Sequence, residues 1–223
     1  MKKKIFMATL IFTLVLPFFV NSQESNLGNW LIYIGNKQVN SKWNIHTEVQ
    51  YRNYDAIGDL EQLLLRTGIG YNLSENNDNL LLGYGYILSE NYVENTDDDK
   101  VSVHEHRVFQ QFTTKQNKWR LKLTQRYRFE QRFVENDFKM RLRYFLSLNY
   151  PLNNTEIISK TIYLSVYNEV FLNTEPSVFD RNRIYGGLGY KLNKNIKLEL
   201  GYMSQVFEKS FRDQINVIAF INL

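Results

Sequence analysis

Trp119-Arg120-Leu121-Lys122-Leu123-Thr124-Gln125-Arg126-Tyr127-Arg128-Phe129-Glu130-Gln131-Arg132 carries the clearest structural signal in the chain. Trp119, Leu121, Leu123, Tyr127 and Phe129 alternate with Arg120, Lys122, Thr124, Arg126, Arg128, Glu130 and Arg132. A period of two fits a strand and excludes a helix. The next segment repeats it: Met140, Leu142, Tyr144, Leu146, Leu148 and Tyr150 alternate with Lys139, Arg141, Arg143, Ser147 and Asn149.

Nearer the N-terminus, Trp43, Ile45, Val49 and Tyr51 oppose Asn44, His46, Glu48, Gln50 and Arg52, while Leu63, Leu65, Ile69 and Tyr71 oppose Gln62, Arg66, Gly68, Gly70 and Asn72. The pattern predicts eleven strands, at about 27–37, 42–52, 62–73, 79–89, 102–114, 117–132, 137–150, 160–173, 181–192, 195–208 and 211–223. Most exceed the roughly 9–11 residues that a tilted strand needs to cross a bilayer. Connections at 38–41, 74–78, 115–116, Pro151 and 193–194 are short; those at 53–61, 90–101 (with Asp97, Asp98 and Asp99), 133–136 and 174–180 are longer or more acidic. Short periplasmic turns and longer external loops are the asymmetry of outer-membrane barrels.

The ends of the chain agree. Lys2, Lys3 and Lys4 precede an apolar run, Ile5 to Val20, broken only by Thr9 and Thr13, and Val20-Asn21-Ser22 supplies a cleavage region. This is the layout of a secretory signal peptide over residues 1–22, leaving 23–223 as one mature domain. The net charge of +4 includes those three lysines, so the mature side chains sum to +1, and no bulk basic face for nucleic acid is expected. Without Cys there is no disulfide framework. After residue 23 no apolar run approaches the roughly 18 residues of a spanning helix, which leaves a closed barrel as the way across a membrane. At the other end Ile215, Val217, Ala219, Ile221 and Leu223 alternate up to the last residue, as in the signal read by the barrel-assembly machinery, although Leu stands where Phe is commoner.

A second regularity concerns depth. Tyr71, Tyr150 and Tyr190 lie just before short turns and Trp43 and Trp119 just after them. All five are expected at one rim, as an aromatic girdle at headgroup level, because amphipathic rings favour that depth. The predicted fold is therefore all-β: a transmembrane antiparallel up-and-down β-barrel of about 10–12 strands behind a cleaved signal peptide. One point does not close. A single-chain bacterial barrel should have an even strand number, and turn parity puts the start of the first strand on the outer side. Either a strand is missed or residues 24–37 are irregular, for instance entering the lumen.

The residues also resemble the family catalogued as domain of unknown function 2490, outer-membrane barrels of Gram-negative bacteria. The carriers, in order, are Glu48-x-Gln50-x-Arg52, Leu65-Arg66-x-Gly68-x-Gly70-Tyr71, Gly83-Tyr84-x-Tyr86, Glu105-His106-Arg107-x-x-Gln110-Gln111, Arg126-x-Arg128-x-Glu130-x-Arg132, Asn149-x-Pro151-Leu152, Tyr167-x-Glu169, Asp180-x-Asn182-Arg183 and Gly187-x-Gly189-Tyr190. The resemblance implies fold and location for the whole mature chain, and no activity.

Inward positions collect the candidate chemistry. Arg52, Arg66, Arg107, Arg120, Lys122, Arg126, Arg128, Arg132, Lys139, Arg141, Arg143, Arg183 and Lys197 face Glu48, Glu105, Glu130, Glu169 and Glu199. One reading is a salt-bridged plug that holds a narrow barrel rigid, since buried charges need partners; the other is a cationic lining for anions. Gly68, Gly70, Gly83, Gly85, Gly187, Gly189 and Gly201 also point inward and make room for large side chains rather than cradle phosphate. Three His are present, none in a Ser-containing motif, and His104 and His106 alone do not complete a metal site. The expectation is a non-enzymatic, porin-like barrel of the cell outer membrane, structural or a narrow, Arg-lined and largely occluded conduit. It would need no cofactor or metal and bind no nucleic acid; its contacts would be outer-membrane lipid, the barrel-assembly machinery and an envelope partner of unknown identity. The alternative is an outer-membrane enzyme acting on lipid or envelope substrates.

Overall fold

The computed structural model describes residues 27–223, apart from 57, 75, 76, 95, 97, 98 and 176. The expected signal peptide, and Asp97 and Asp98 of the acidic loop, lie outside the described residues. The strands are β1 (Gly28–Gln38), β2 (Trp43–Asn53), β3 (Leu60–Asn72), β4 (Asp78–Tyr92), β5 (Lys100–Lys118), β6 (Leu121–Val134), β7 (Asp137–Pro151), β8 (Thr161–Asn173), β9 (Phe179–Lys191), β10 (Ile196–Val206) and β11 (Phe211–Asn222). Each pairs antiparallel with its successor, and β1 pairs parallel with β11 to close the ring.

The expectation of an even strand number is overturned, and the reason is geometric. An odd number of up-and-down strands leaves the first and last running the same way, so only a parallel pair can close them. Gly28–Asn36 therefore lies beside Gln214–Asn222 in parallel register. Parallel pairing is slightly weaker per residue, but closure removes both free edges. The sequence-derived parity was self-consistent: β1 does start at the end carrying the longer connections. Residues 28–38 stay in the wall and do not enter the lumen.

A second correction concerns β5 and β6. The expected turn at 115–116 is strand; Lys115 pairs with Thr124 and Lys118 with Leu121, and the turn is Trp119-Arg120. The polar run Lys115–Lys118 looks like a turn by composition, yet its backbone stays in the ladder. Trp119 sits in that turn at φ 56°, and the residue is 95% exposed. The connection after Pro151 is also longer than the single proline turn expected, running over 152–160.

Burial is inverted relative to a water-soluble domain. On the outward face Leu65, Ile69, Leu82, Leu142, Ile184, Leu188 and Leu200 are 41–61% exposed. Inside, Glu130, Gln214 and Asn216 are 0% exposed, and Arg128, Arg141, Arg143, Arg183 and Glu169 are buried with them. Water-soluble folds rarely bury charge while exposing aliphatic side chains across a whole wall. Part of the interior is apolar: Trp30, Ile32, Tyr185, Met203 and Ile218 cluster behind β1 and β9–β11.

Candidate functional site

The interior is built by strand parity, which aims every second side chain of β2–β9 at the axis. Glu130 of β6 is its centre. Arg141 donates to one of its oxygens at 2.6 and 3.0 Å, and Arg143 donates to the other at 2.7 Å. Arg143 also reaches Glu169 of β8 at 2.7 Å, where Arg126 arrives at 2.7 Å and Arg183 lies 3.8 Å away. Arg141 has a second partner in Asp180, at 2.9 Å. Toward the loop end, which carries the 54–59, 93–99 and 207–210 connections, Glu105 takes paired bonds from Arg107 and from Arg132, the latter at 2.6 and 3.0 Å. On β2, Glu48 accepts from Arg66 at 2.7 Å and from Gln50, with His46 at 3.5 Å. Paired guanidinium–carboxylate bonds are the strong, directional kind.

The lumen side chains singled out from sequence are thus brought together: Glu48, Arg66, Glu105, Arg107, Arg126, Arg128, Glu130, Arg132, Arg141, Arg143, Glu169 and Arg183 form ion pairs with one another. Arg52 stands apart. It has Gln50 and Gln62 as acceptors, and its guanidinium lies 3.6 Å from the Trp30 ring, with Arg183 over the same ring at 4.7 Å. Arg128 leans on Phe109 at 4.5 Å and donates to Gln111. Phe171 carries Arg143 at 4.4 Å and Arg183 at 4.5 Å. Stacking on ring faces holds cations where carboxylates run short.

Two basic residues assigned to the lumen are elsewhere. Arg120, being in a turn, donates to the carbonyls of Pro151 and Asn154 at 2.7 and 2.9 Å and stacks on Tyr150, pinning the β7–β8 connection. Lys139 lies at the loop rim, its side chain 52% exposed beside Asp137. Gln111, Gln205, Trp30, Phe109 and Phe171 complete the network, and the sequence placed none of them in it. Their signal was large side chains at inward positions of otherwise charged faces.

The five expected girdle aromatics share the turn end, defined by connections 39–42, 73–77, 119–120, 152–160 and 192–195. Trp43 and Tyr71 are cross-strand partners with ring centroids 4.9 Å apart; Tyr150 and Tyr190 close β7 and β9 there, and Trp119 is in the turn itself. The histidines meet no serine among the described residues: His106 pairs with the Tyr84 hydroxyl at 2.5 Å, His104 with that of Tyr86 at 2.8 Å, and His46 faces Glu48. Inward glycines seat rings: a Cβ on Gly83 would strike Phe109, and one on Gly189 would strike Tyr163.

Comparisons with known proteins give a family and assign it no chemistry. The chain is 31% identical over 165 residues to an uncharacterized protein of Methylorubrum extorquens, a match that covers 71% of this chain and 69% of that protein. No solved structure matches. The family model described as "Protein of unknown function (DUF2490)" matches residues 27–216, nearly the whole barrel. The chain belongs to the DUF2490 family.

Proposed function

We propose that this protein is a non-enzymatic integral barrel of the Gram-negative outer membrane, exported by a signal peptide over residues 1–22, whose interior network closes the lumen. The observation that carries the reading is the inverted burial: an outer wall made mostly of exposed aliphatic and aromatic side chains around a core of paired Arg and Glu. In hydrocarbon the outer wall is satisfied, the closed ring leaves no free edge, and polar groups belong inside. The aromatic rings gathered at the turn end suit an interface with headgroups. Eleven strands lie between filled eight-stranded barrels and open sixteen-stranded porins, a width that long guanidinium side chains span. Its role is then structural, or that of a narrow and largely occluded conduit.

The test is conductance of the purified mature chain in planar bilayers. Wild type should show little or no steady current. Arg128→Ala with Arg143→Ala, which removes two of the filling side chains, should raise the current and make any leak easier to resolve as anion-selective. A wild-type channel that is large, cation-preferring and indifferent to both substitutions would overturn the reading.

A further inference from the structure

We infer that the turn end of the lumen is a site for a phosphate-bearing solute. Four lysines stand at inward positions near that mouth: Lys115 of β5, Lys122 of β6, Lys191 of β9 and Lys197 of β10. Lys191 and Lys197 are direct ladder partners on β9 and β10, and Lys115 and Lys122 sit two residues out of register on the neighbouring strands β5 and β6; the inward carboxylate on the same strand as Lys197 is Glu199. Glu199 is already engaged by the Tyr163 hydroxyl at 2.8 Å. Among the described residues the lysine ion pairs are those of Lys100 and Lys139, both at the opposite end, so none of the four has a described carboxylate within 4.0 Å.

The surrounding groups also suit an oxyanion. Asn149, the ladder partner of Lys122, has a buried carboxamide oxygen with no hydrogen-bond partner among the described residues; that oxygen is an acceptor, so the amide would rotate to donate its N–H groups to an oxyanion. Deeper in, Arg126 turns one guanidinium nitrogen to Glu169 and keeps Nε buried and unpaired. Lys122 to Arg126 is four strand residues, about 13 Å of extended chain, and beyond it Arg143, Glu130 and Glu169 fill the barrel. The inward lysines therefore stand above a closed floor, on the strands flanking the mouth that the 152–160 connection partly covers through its contacts with buried Thr161.

The asymmetry between the two ends points the same way. At the loop end basic groups are matched: Lys100 by Asp59, Arg212 by Glu61, Arg181 by Asp180 and Arg132 by Glu105. Among the described residues the inward positions of the turn end carry four lysines against Glu199, and a concave wall of one sign focuses its field on entering counter-charge. Ammonium groups are compact, strongly hydrated point charges that suit a multiply charged tetrahedral oxyanion, and rings of Lys are how proteins select phosphate. The site rests on the orientation proposed above only for its compartment; there it opens to the periplasm.

The experiment is calorimetric titration of the full mature barrel in zwitterionic detergent at low ionic strength. Inorganic pyrophosphate is the probe, sodium chloride the control, and a short-chain phosphatidic acid the second arm. Saturable binding of pyrophosphate, weakened at least tenfold by Lys191→Gln with Lys197→Gln and unchanged by Lys139→Gln at the far rim, is expected. Equal affinity for both phosphates assigns the site to soluble phosphates, and a marked preference for the lipid form assigns it to a headgroup. Heat-dependent gel migration checks that each variant is folded. No saturable binding, or binding that survives Lys→Gln changes at all four positions, would overturn the inference whatever the conductance proves to be.

Discussion

Glu130 has no solvent exposure and three guanidinium neighbours, with Arg141 and Arg143 in direct contact and Arg128 at 3.6 Å. Removing one member of such a set strands charge in a dry interior, and the usual cost is about 3–5 kcal/mol. Glu130→Ala should fall at the low end of that range, because Arg141 keeps Asp180 and Arg143 keeps Glu169. Urea unfolding from lipid vesicles measures this; a loss no greater than that of Asp137→Ala, at an exposed rim pair, would contradict the assignment. The loop-end mouth makes a pH prediction. Burial works to raise the Asp59 carboxyl, but its bonds from Lys100 and from the Tyr92 hydroxyl, at 2.7 Å for the latter, outweigh that and hold it below its ordinary value. A depressed carboxylate contributes stability above its unfolded pKa and loses it as pH falls through the folded one. The Asp59–Lys100–Tyr92 clasp should therefore hold at neutral pH and release only below about pH 4. Protease cutting within 93–99 should rise over that acid window and not at pH 5–7, and Asp59→Asn should remove the transition.

At the scale of strands, the interior is shaped by rings seated on glycines. Gly189 of β9 is the ladder partner of Tyr163 on β8, and Gly83 of β4 that of Phe109 on β5. Each ring lies over the bare backbone of its partner, so an added methyl must push it off. Gly189→Ala should cost about 1–3 kcal/mol by overpacking and loosen the Tyr163–Glu199 bond. Gly186→Ala on the outward face of the same strand meets nothing within 4 Å and should be neutral or slightly stabilising. Comparing the two melting curves checks both, and equal effects would mean that β9 is shifted by one residue, which exchanges its faces. The alternation of β2, β3, β6 and β7 was legible in sequence because period-two patterning needs only local chemistry. The β5–β6 turn was not: Lys115–Lys118 carries turn-like composition, and what keeps it in strand is a ladder with Leu121–Thr124 that no local pattern records.

For the whole molecule the decisive feature is the parallel seam. It places Tyr33 beside Ala219, and the chain has no native Cys to confuse a cross-link. Tyr33→Cys with Ala219→Cys should form a disulfide on mild oxidation of the folded barrel, whereas Tyr33→Cys with Ile215→Cys should not. The reverse result would mean that the ring closes in another register or stays open. Local patterning alone was enough for the eleven strands counted, the inward and outward faces, most of the side chains that meet in the lumen and the rim that gathers Trp43, Tyr71, Trp119, Tyr150 and Tyr190. These follow from alternation and turn parity, which are properties of neighbouring residues. The folded ring was needed to show that eleven strands close through a parallel pair, which carboxylate each guanidinium takes, and that Arg120 leaves the lumen for the β7–β8 connection. Those depend on ring closure, strand stagger and side-chain reach across the axis, and they join residues as far apart as Glu61 and Arg212.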